Sequence, residues 1–271
     1  MEQILSDIVV VLVVASIIFL GVLLISNWVF LNQFREDVLK LKNITEETNQ
    51  ETKRPAIVER YLERVNAEQE LNYKQAFVTH IGFCRLKTDQ KWTPVKGEQF
   101  FRTDEPSFTW MAFLKINPVV RMNTIEKRLA NEASIVTRLW SFLPVTKQGG
   151  PKVSQSLGLR YLSEIPWFPQ AIIHNSSITW AEVDERHVKA TLRNGSEEDT
   201  VIYTFNEDGL IEKMTSEGRY RNDEKEKWSV HYTGYQTIHG VTVPYQTDSF
   251  WHLAEGDFHY GRIHLKTVHY E

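Results

Sequence analysis

The 271-residue sequence has little cysteine: Cys84 is its one copy. A single cysteine excludes an intramolecular disulfide and a zinc site built from several thiolates. Such a residue is usually a small buried hydrophobe, and no neighbouring motif supports the alternative of a Cys84 nucleophile. The chain also has no excess of basic residues, since its formal net charge is -4. This balance argues against nucleic acid as a main partner, because a phosphate backbone calls for a basic surface.

Familiar catalytic and cofactor motifs are missing as well. The chain has no glycine-rich phosphate loop, no GxSxG nucleophile motif and no HExxH zinc motif. Nine histidines are present, but on one strand His259 and His264 would point to opposite faces. His259 and His269 would share a face about 33 Å apart, at ~3.3 Å per residue. We therefore predict no metal site and no cofactor.

The most apolar part of the chain is an uncharged run over residues 8–25, IVVVLVVASIIFLGVLLI. As a helix it covers about 27 Å, close to the ~30 Å hydrocarbon thickness of a bilayer. Trp28 suits the aromatic belt at the interface. A cleaved signal peptide is the alternative, but Glu2 and Asp7 replace the usual basic start and no small-x-small site follows. We predict a single-pass anchor that contacts the bilayer through residues 8–31.

The side of the membrane stays undecided in the sequence. Arg35, Lys40 and Lys42 follow the apolar run and nothing basic precedes it. The positive-inside rule then slightly favours a cytoplasmic domain, although long domains translocate largely regardless of charge.

Three segments are predicted along the chain. A transmembrane anchor helix occupies residues 1–34. A juxtamembrane helix end and a polar tether, which includes TEETNQETKR, occupy residues 35–54. The helix end is inferred from an apolar stripe at Phe34, Val38 and Leu41. Residues 55–271 form the globular domain.

Period-two alternation of apolar residues marks this domain as β-rich. In each of the stretches 106–116, 187–194 and 199–206, a set of alternate apolar residues shares one face: Phe108, Trp110, Ala112 and Leu114 in the first, Val188, Ala190 and Leu192 in the second, and Val201, Tyr203 and Phe205 in the third. Such alternation predicts half-buried antiparallel strands. About ten such runs at short spacing favour an α+β fold, mainly antiparallel β. We expect a curved sheet or half-barrel of about ten strands with one packed helix, plus the N-terminal transmembrane helix.

A late hairpin is predicted at the Glu255-Gly256 turn signal. With this turn at the tip, Trp251 would pair with Tyr260 and His252 with His259 across two strands. Two histidines make a weak zinc site, because zinc takes three or four protein ligands. The aromatic pair is thus the better explanation of the pattern.

The packed helix is predicted to begin at Pro151, after two glycines, and to end before Pro166. It carries the start of the stretch RYLSEIPWFPQ, residues 160–170. Arg160 and Glu164 are four apart, so they form either an ordinary ion pair on one helix face or a polar contact with a ligand. The PWFP segment reads as extended and stiff, which suits the end wall of a sheet.

Several motifs give the chain a resemblance to a known family. The specific motif is R-Y-L-x-E-x-P-W-x-P, from Arg160 to Pro169. Weaker ones are Arg60-Tyr61-Leu62, Gly82 with Arg85, Glu98-Gln99, Phe108 with Trp110, Trp180, Arg219, Trp228, Gly240 with Pro244, and Trp251.

In these motifs residues 55–271 resemble an uncharacterised bacterial family of unknown function. The segment VVRMNTIEKR departs from the family pattern, because an acidic residue is expected near Arg121. The resemblance implies no known activity. It implies a fold similar to lipoprotein-carrier-like half-barrels, whose concave face takes up lipid or another apolar group.

The function favoured by these features is binding of a lipid or other hydrophobic ligand next to the bilayer. Four tryptophans are expected to line or close the pocket: Trp110, Trp167, Trp180 and Trp251. Three charged residues are expected to contact a polar head group: Arg160, Glu164 and Arg219.

Two alternatives from other classes remain open. In the first, the domain is a hydrolase with Glu164 as acid or base. Glu98 and His231 are further acid–base candidates, although nothing in the sequence brings them together. In the second, the domain is a scaffold whose sheet docks another membrane protein. Enzymatic activity is the less favoured reading because no catalytic motif is present, and we assign no catalytic residue.

Overall fold

A computed structural model of the chain describes residues 2–44, 53–67, 73–129, 132–194 and 197–271. These residues form one long N-terminal helix, one large antiparallel sheet and a group of helices packed against that sheet.

The N-terminal helix, α1, runs without a break from Glu2 to Lys42. Its most apolar 18-residue window has a mean hydropathy of 3.4 and is 0% buried, so the helix is long and apolar enough to cross a membrane. Beyond this window, Phe30, Phe34 and Leu41 are buried against the sheet. The predicted tether lies outside the described residues except for 53 and 54, and the division of the chain into segments stays a prediction.

The sheet has thirteen strands among the described residues, in the order β6-β5-β4-β3-β2-β1-β13-β12-β11-β10-β9-β8-β7. The strands are β1 (Gln75–Cys84), β2 (Thr93–Arg102), β3 (Phe108–Lys115), β4 (Arg121–Leu129), β5 (Glu132–Leu139), β6 (Leu143–Gly149), β7 (Ile178–Glu182), β8 (His187–Asn194), β9 (Glu197–Phe205), β10 (Ile211–Arg221), β11 (Glu224–Ile238), β12 (Val241–Leu253) and β13 (Gly256–Tyr270). Two meanders therefore join where β1 pairs with β13.

The prediction of a curved, mainly antiparallel sheet with one packed helix is confirmed, with more strands than the ten expected. The packed helix, α3 (Pro151–Glu164), contacts β4, β5 and β6 in one half of the sheet and β8, β9 and β10 in the other. These strands are far apart in the sheet order, so the sheet must curl around α3. It does not close, because β6 and β7 remain as edges. Edge strand β6 is exposed along its length, so it lacks a one-sided apolar pattern.

Strand β3 is covered on both faces. Phe108, Trp110 and Ala112 face the concave side, where α3 lies. Met111 and Phe113 face the outer side and pack with Phe30 and Phe34 of α1. Period two thus sends alternate side chains of one strand to two different helices.

The main core fills most of the concave side. A short helix, α2 (Ala56–Arg64), contributes Ile57, Val58, Tyr61 and Leu62 to it. These residues form one apolar face of α2, and the helix begins directly after Pro55.

The PWFP part of RYLSEIPWFPQ forms a buried turn and not the extended segment that the sequence predicts, so this part of the prediction is wrong. Helix α3 ends at Glu164 as expected, and a 3-10 turn, Ile165–Trp167, follows directly. A further short helix, α4 (Ala171–His174), closes the connection. Proline fits the turn because its fixed φ suits helical geometry and its missing N–H costs nothing in the first turn.

Tyrosine hydroxyls from the strands hold this segment in place. Tyr203 and Tyr232 donate to the carbonyls of Leu162 and Ser163 in the last turn of α3, and Tyr270 donates to the carbonyl of Trp167. The last carbonyls of a helix have no partner within it, so these hydroxyls satisfy groups that would otherwise be buried without one. RYLSEIPWFPQ is thus a fixed corner of the fold.

The predicted pairing of the last hairpin is wrong by two residues. Trp251 pairs with Phe258 and His252 with Asp257, because the tip lies at residues 254–255. A bulge between Ser249 and Phe250 then shifts the ladder. Trp251 nevertheless stacks on Tyr260 at a ring distance of 5.6 Å, as a diagonal neighbour.

Candidate functional site

A cavity of about 210 Å³ remains between α3 and the concave face of the sheet. Its apolar wall is formed by Val95, Leu114, Trp110, Trp167, Trp228 and Ile263. Five of the seven predicted site residues also lie on it: Trp110, Arg160, Glu164, Trp167 and Arg219. A large hydrophobic core packs around this cavity.

The other two predicted residues do not line this cavity. Trp180 is buried in the core, where it stacks on Tyr203 at 5.7 Å. Trp251 lies behind the cavity wall, stacked on Tyr260 and 5.5 Å from the guanidinium of Arg219.

Arg160 is held by acceptors from three elements. Its Nε donates to Glu164 Oε1 within α3 at 3.0 Å, and its Nη1 donates to Glu126 Oε2 on β4 at 2.6 Å. Its Nη2 donates to Gln99 Oε1 on β2 at 3.2 Å, and the Gln99 amide donates to Glu164 Oε2 at 2.8 Å. The guanidinium lies 4.2 Å from the ring centre of Trp110. The Arg160–Glu164 ion pair therefore fastens α3 to the sheet.

The charges of this cluster compensate one another. Burial lowers the pKa of Arg160, but Glu164 and Glu126 more than offset this, so the pKa stays above its ordinary value. Burial raises the pKa of Glu164 above its ordinary value, although Arg160 and Gln99 oppose the change. Two carboxylates thus surround one guanidinium, and this end of the cavity presents no excess positive charge.

His80 lines the cavity as a neutral ring. Its Nε2 accepts a hydrogen bond from Trp110 Nε1 at 2.8 Å, which puts the ring proton on Nδ1. Burial, with a smaller contribution from the charge of Arg160, lowers the pKa of His80 to about 3. His80 is 3% exposed, and among the described residues its Nδ1 has no hydrogen-bond partner. Nδ1–H is therefore a buried donor without an acceptor.

A glycine makes the room for this pair. A Cβ on Gly97 would lie 2.4 Å from His80 Cε1 and 2.7 Å from Trp110 Nε1. Both are atoms of packed rings, so neither can easily move away. Only glycine lets the two rings cross the β2 backbone at this point.

Arg219 presents the other charged end of the cavity. Its Nη1 donates to the hydroxyl of Tyr260 at 3.2 Å, and Trp228 Nε1 donates to the same hydroxyl at 2.9 Å. The guanidinium lies 4.1 Å from the ring centre of Trp228. Its Nε is buried without a partner, and among the described residues no carboxylate pairs with it. Tyr260 accepts two bonds, so its own O–H can still donate.

Sequence reasoning missed four polar contributors to this site: His80, Gln99, Glu126 and Tyr260. Gln99 was named as part of a motif but given no role. Glu126 lies in the segment that departs from the family pattern, five residues after Arg121. The glycine within the alternating run VKGEQF signalled a close approach of another group, and that group proves to be His80.

The remaining acid–base candidates lie on the outer face. Glu98 is exposed and does not meet Glu164. His231 stacks near Phe250, and burial lowers its pKa. In the described part of the chain, no group of three or more His, Cys, Asp or Glu is placed to hold a metal ion.

A serine, a histidine and an aspartate also stand in line on that outer face. Ser229 Oγ lies 2.8 Å from His252 Nε2, and His252 Nδ1 lies 2.7 Å from Asp257 Oδ1. Nucleophilic catalysis needs a reachable hydroxyl with oxyanion donors beside it. Ser229 is 0% exposed and lies within a paired strand, so the line is better explained as a satisfied hydrogen-bond chain.

Residues 43–263 match the model of a Family of unknown function (DUF6544), so the chain belongs to that family. No curated protein matches it. Among solved structures, a candidate outer membrane lipoprotein-sorting protein domain from Vibrio parahaemolyticus is similar at 8% identity and a TM-score of 0.46, covering 79% of this chain and 93% of its own. The LolA superfamily protein NE2245 from Nitrosomonas europaea is similar at 11% identity and a TM-score of 0.37, covering 78% and 92%.

Proposed function

We propose that this chain is a membrane-anchored protein whose β-rich domain binds the acidic group of a small amphipathic ligand. The observation that carries the proposal is Arg219, a guanidinium on an aromatic-walled cavity with no carboxylate partner among the described residues. The Arg219 guanidinium and the Tyr260 hydroxyl, which are bonded to each other and line the cavity, are both donors. A ligand group that meets them must be an acceptor, and a carboxylate or phosphate suits a guanidinium best.

The size of the cavity limits the ligand. Pockets for drug-sized molecules typically have about 300–1,000 Å³, whereas this cavity has about 210 Å³. A short acyl chain with its acid group fits, while a whole two-chain lipid requires the sheet and α3 to separate. The wall of aliphatic and indole side chains suits such a chain.

The anchor in this proposal is α1. Its apolar part is exposed in the folded chain, which leaves a lipid bilayer as the environment that removes it from water. Arg35, Lys40 and Lys42 after the span favour the cytoplasmic side for the domain.

Octanoate and the neutral octanol are the probes for this function, with the full chain in neutral micelles and binding followed by tryptophan fluorescence. Arg219→Gln removes a charge-assisted bond of about 1.5–3 kcal/mol, so octanoate affinity should fall about 10- to 150-fold. Octanol affinity should stay unchanged. Arg193→Gln, on an exposed position of β8, is the matched control. Equal affinity of the parent for both probes would contradict the proposal.

A hydrolase that uses Glu164 is the second candidate, favoured by the raised pKa of this carboxyl beside the cavity. The probe is p-nitrophenyl octanoate, an ester of the same acid. On this hypothesis the parent hydrolyses the ester, and Glu164→Gln abolishes hydrolysis while the melting temperature changes by less than about 2 °C. If Glu164→Gln lowers the melting temperature strongly and the parent does not hydrolyse the ester, the hydrolase hypothesis is refuted and Glu164 has only a structural role as an ion-pair partner.

A further inference from the structure

Exposed apolar side chains of the globular part gather at one edge of the sheet. By this edge we mean the end of the sheet, across the strand direction, that carries the connections β1–β2, β3–β4 and β5–β6. Outside α1, the large exposed apolar residues of the described chain are Phe83, Leu86, Trp92, Ile116, Val119, Phe142, Leu143 and Val145 at or next to this edge, and Val183 and Tyr245 elsewhere. Single exposed apolar residues are ordinary, but a cluster marks an interaction surface.

Contacts along α1 show where this edge lies relative to the membrane span. The hydroxyl of Ser141 in the β5–β6 turn lies 3.3 Å from Asn27 Oδ1. Further along α1, Asp37 pairs with Lys127 on β4 at 3.1 Å. Near the end of the helix, the Leu41 carbonyl accepts from Arg102, at the opposite edge of the sheet. The helix thus passes from the apolar edge towards the far edge as it leaves the span.

The apolar edge therefore lies at the level where the lipid-facing run ends. Residues Ile25 and Asn27 are two apart, and a helix rises about 1.5 Å per residue, so only about 3 Å separates them along the axis. Trp28 of α1 is 62% exposed at the same level. A tryptophan there suits the boundary between hydrocarbon and head groups.

Two connections at this edge form one unit. Trp140 Nε1 in the β5–β6 turn donates to the Val119 carbonyl in the β3–β4 loop at 2.8 Å. Trp140 and Ser141 have φ of 51° and 62°, a conformation that non-glycine residues adopt at a cost. Glycine or asparagine would adopt this conformation at a lower energetic cost. Lys115 and Arg121 are exposed where the β3–β4 loop meets its strands, and cations there favour anionic head groups.

We propose that the loops 116–120 and 140–143 insert into the interface of the same bilayer that α1 crosses, as a second contact of the chain with lipid. The proposal rests on the anchoring proposed above. It places the domain against the membrane instead of at the end of a flexible stalk. Cys84 and Leu114, which line the cavity, are the last and next-to-last residues of β1 and β3 at this edge. An amphipathic ligand then has a short path between lipid and cavity.

Spin-label accessibility in nanodiscs of phosphatidylcholine and phosphatidylglycerol tests this contact. The full chain carries Cys84→Ser and one of three further substitutions. Val119→Cys probes the loop; Val183→Cys, exposed on another part of the sheet, is the matched control. Val13→Cys, within the apolar run, reports the anchor. We expect the label at 119 to collide with oxygen in preference to a water-soluble nickel chelate, as the label at 13 does, and the label at 183 to show the reverse.

Two results would overturn the inference. One is a label at 119 as accessible to the chelate as that at 183, while the label at 13 remains in lipid; anchoring would then stand without the loop contact. The other is a label at 119 that is shielded in native membranes but water-exposed in pure lipid, which would assign the surface to a protein partner. A label at 13 that is open to the chelate would instead refute the anchoring itself.

Discussion

Gly97→Ala is the substitution that tests the His80–Trp110 pair most directly. The added Cβ would lie 2.4 Å from His80 Cε1, 2.5 Å from His80 Nε2 and 2.7 Å from Trp110 Nε1. Overpacking of this kind costs about 1–3 kcal/mol. Separation of the rings also leaves a buried indole N–H without an acceptor, at about 1–3 kcal/mol. The free energy of unfolding should therefore fall by about 2–6 kcal/mol.

The assay is thermal unfolding of the full chain in detergent, followed by far-ultraviolet circular dichroism. For a domain of this size, 1 kcal/mol corresponds to about 2–4 °C in melting temperature, so Gly97→Ala should lower it by about 4–24 °C. Gly261→Ala is the control, because its Cβ would meet Ser249 Cβ at an ordinary 3.6 Å. A melting temperature within about 2 °C of the parent for Gly97→Ala would refute the close approach of the rings.

Three further predictions concern acid, the anchor helix and the fixed corner. The pKa of His80 is about 3 in the folded chain, below the ordinary 6.5. As the pH falls from 6.5 to 3, the unfolded chain therefore binds a proton that the folded chain does not, and the free energy of unfolding falls by up to about 1.4 kcal/mol per pH unit. His80→Gln should flatten this slope, whereas His269→Gln, at an exposed position, should leave it unchanged. Asp37→Ala leaves the partly buried Lys127 without its carboxylate partner, so amide exchange over residues 30–42 should become faster while β7–β13 stay protected. Unchanged exchange over residues 30–42 would contradict the docking of α1 on the sheet. Tyr203→Phe should lower the melting temperature by about 2–12 °C, because a buried carbonyl of α3 loses its donor; no change would mean that the carbonyl finds another donor.

The fold was predictable where one face of an element is buried and the other is not. Strand β8 shows this, since Val188, Ala190 and Leu192 are buried and the sequence alternates accordingly. Helix α3 was predictable from the prolines at its start and just beyond its end. Strand β6 lacks such a signal, because it is an exposed edge that backbone pairing alone holds.

The site was predictable only in its local part. Arg160 and Glu164 are four residues apart on one helix, so their pairing follows from helix geometry. Glu126 and Gln99 reach the same guanidinium from β4 and β2, and this meeting depends on how far the sheet curls. Local periodicity carries no information on that curvature, since it depends on twist summed over many strands.

The two faces of β3 connect the anchor and the cavity. Trp110 bonds His80 and stacks with Arg160 on the concave side, while the next residue, Met111, packs against Phe30 and Phe34 of α1 on the outer side. A strand with alternating faces cannot shift one set of side chains without the other. Helix α1 is therefore part of the folded domain as well as a candidate membrane span. Because its docked half covers an apolar surface on β3 and β4, removal of α1 would expose Met111, Phe113 and Ile125 and loosen the strand that carries the cavity wall.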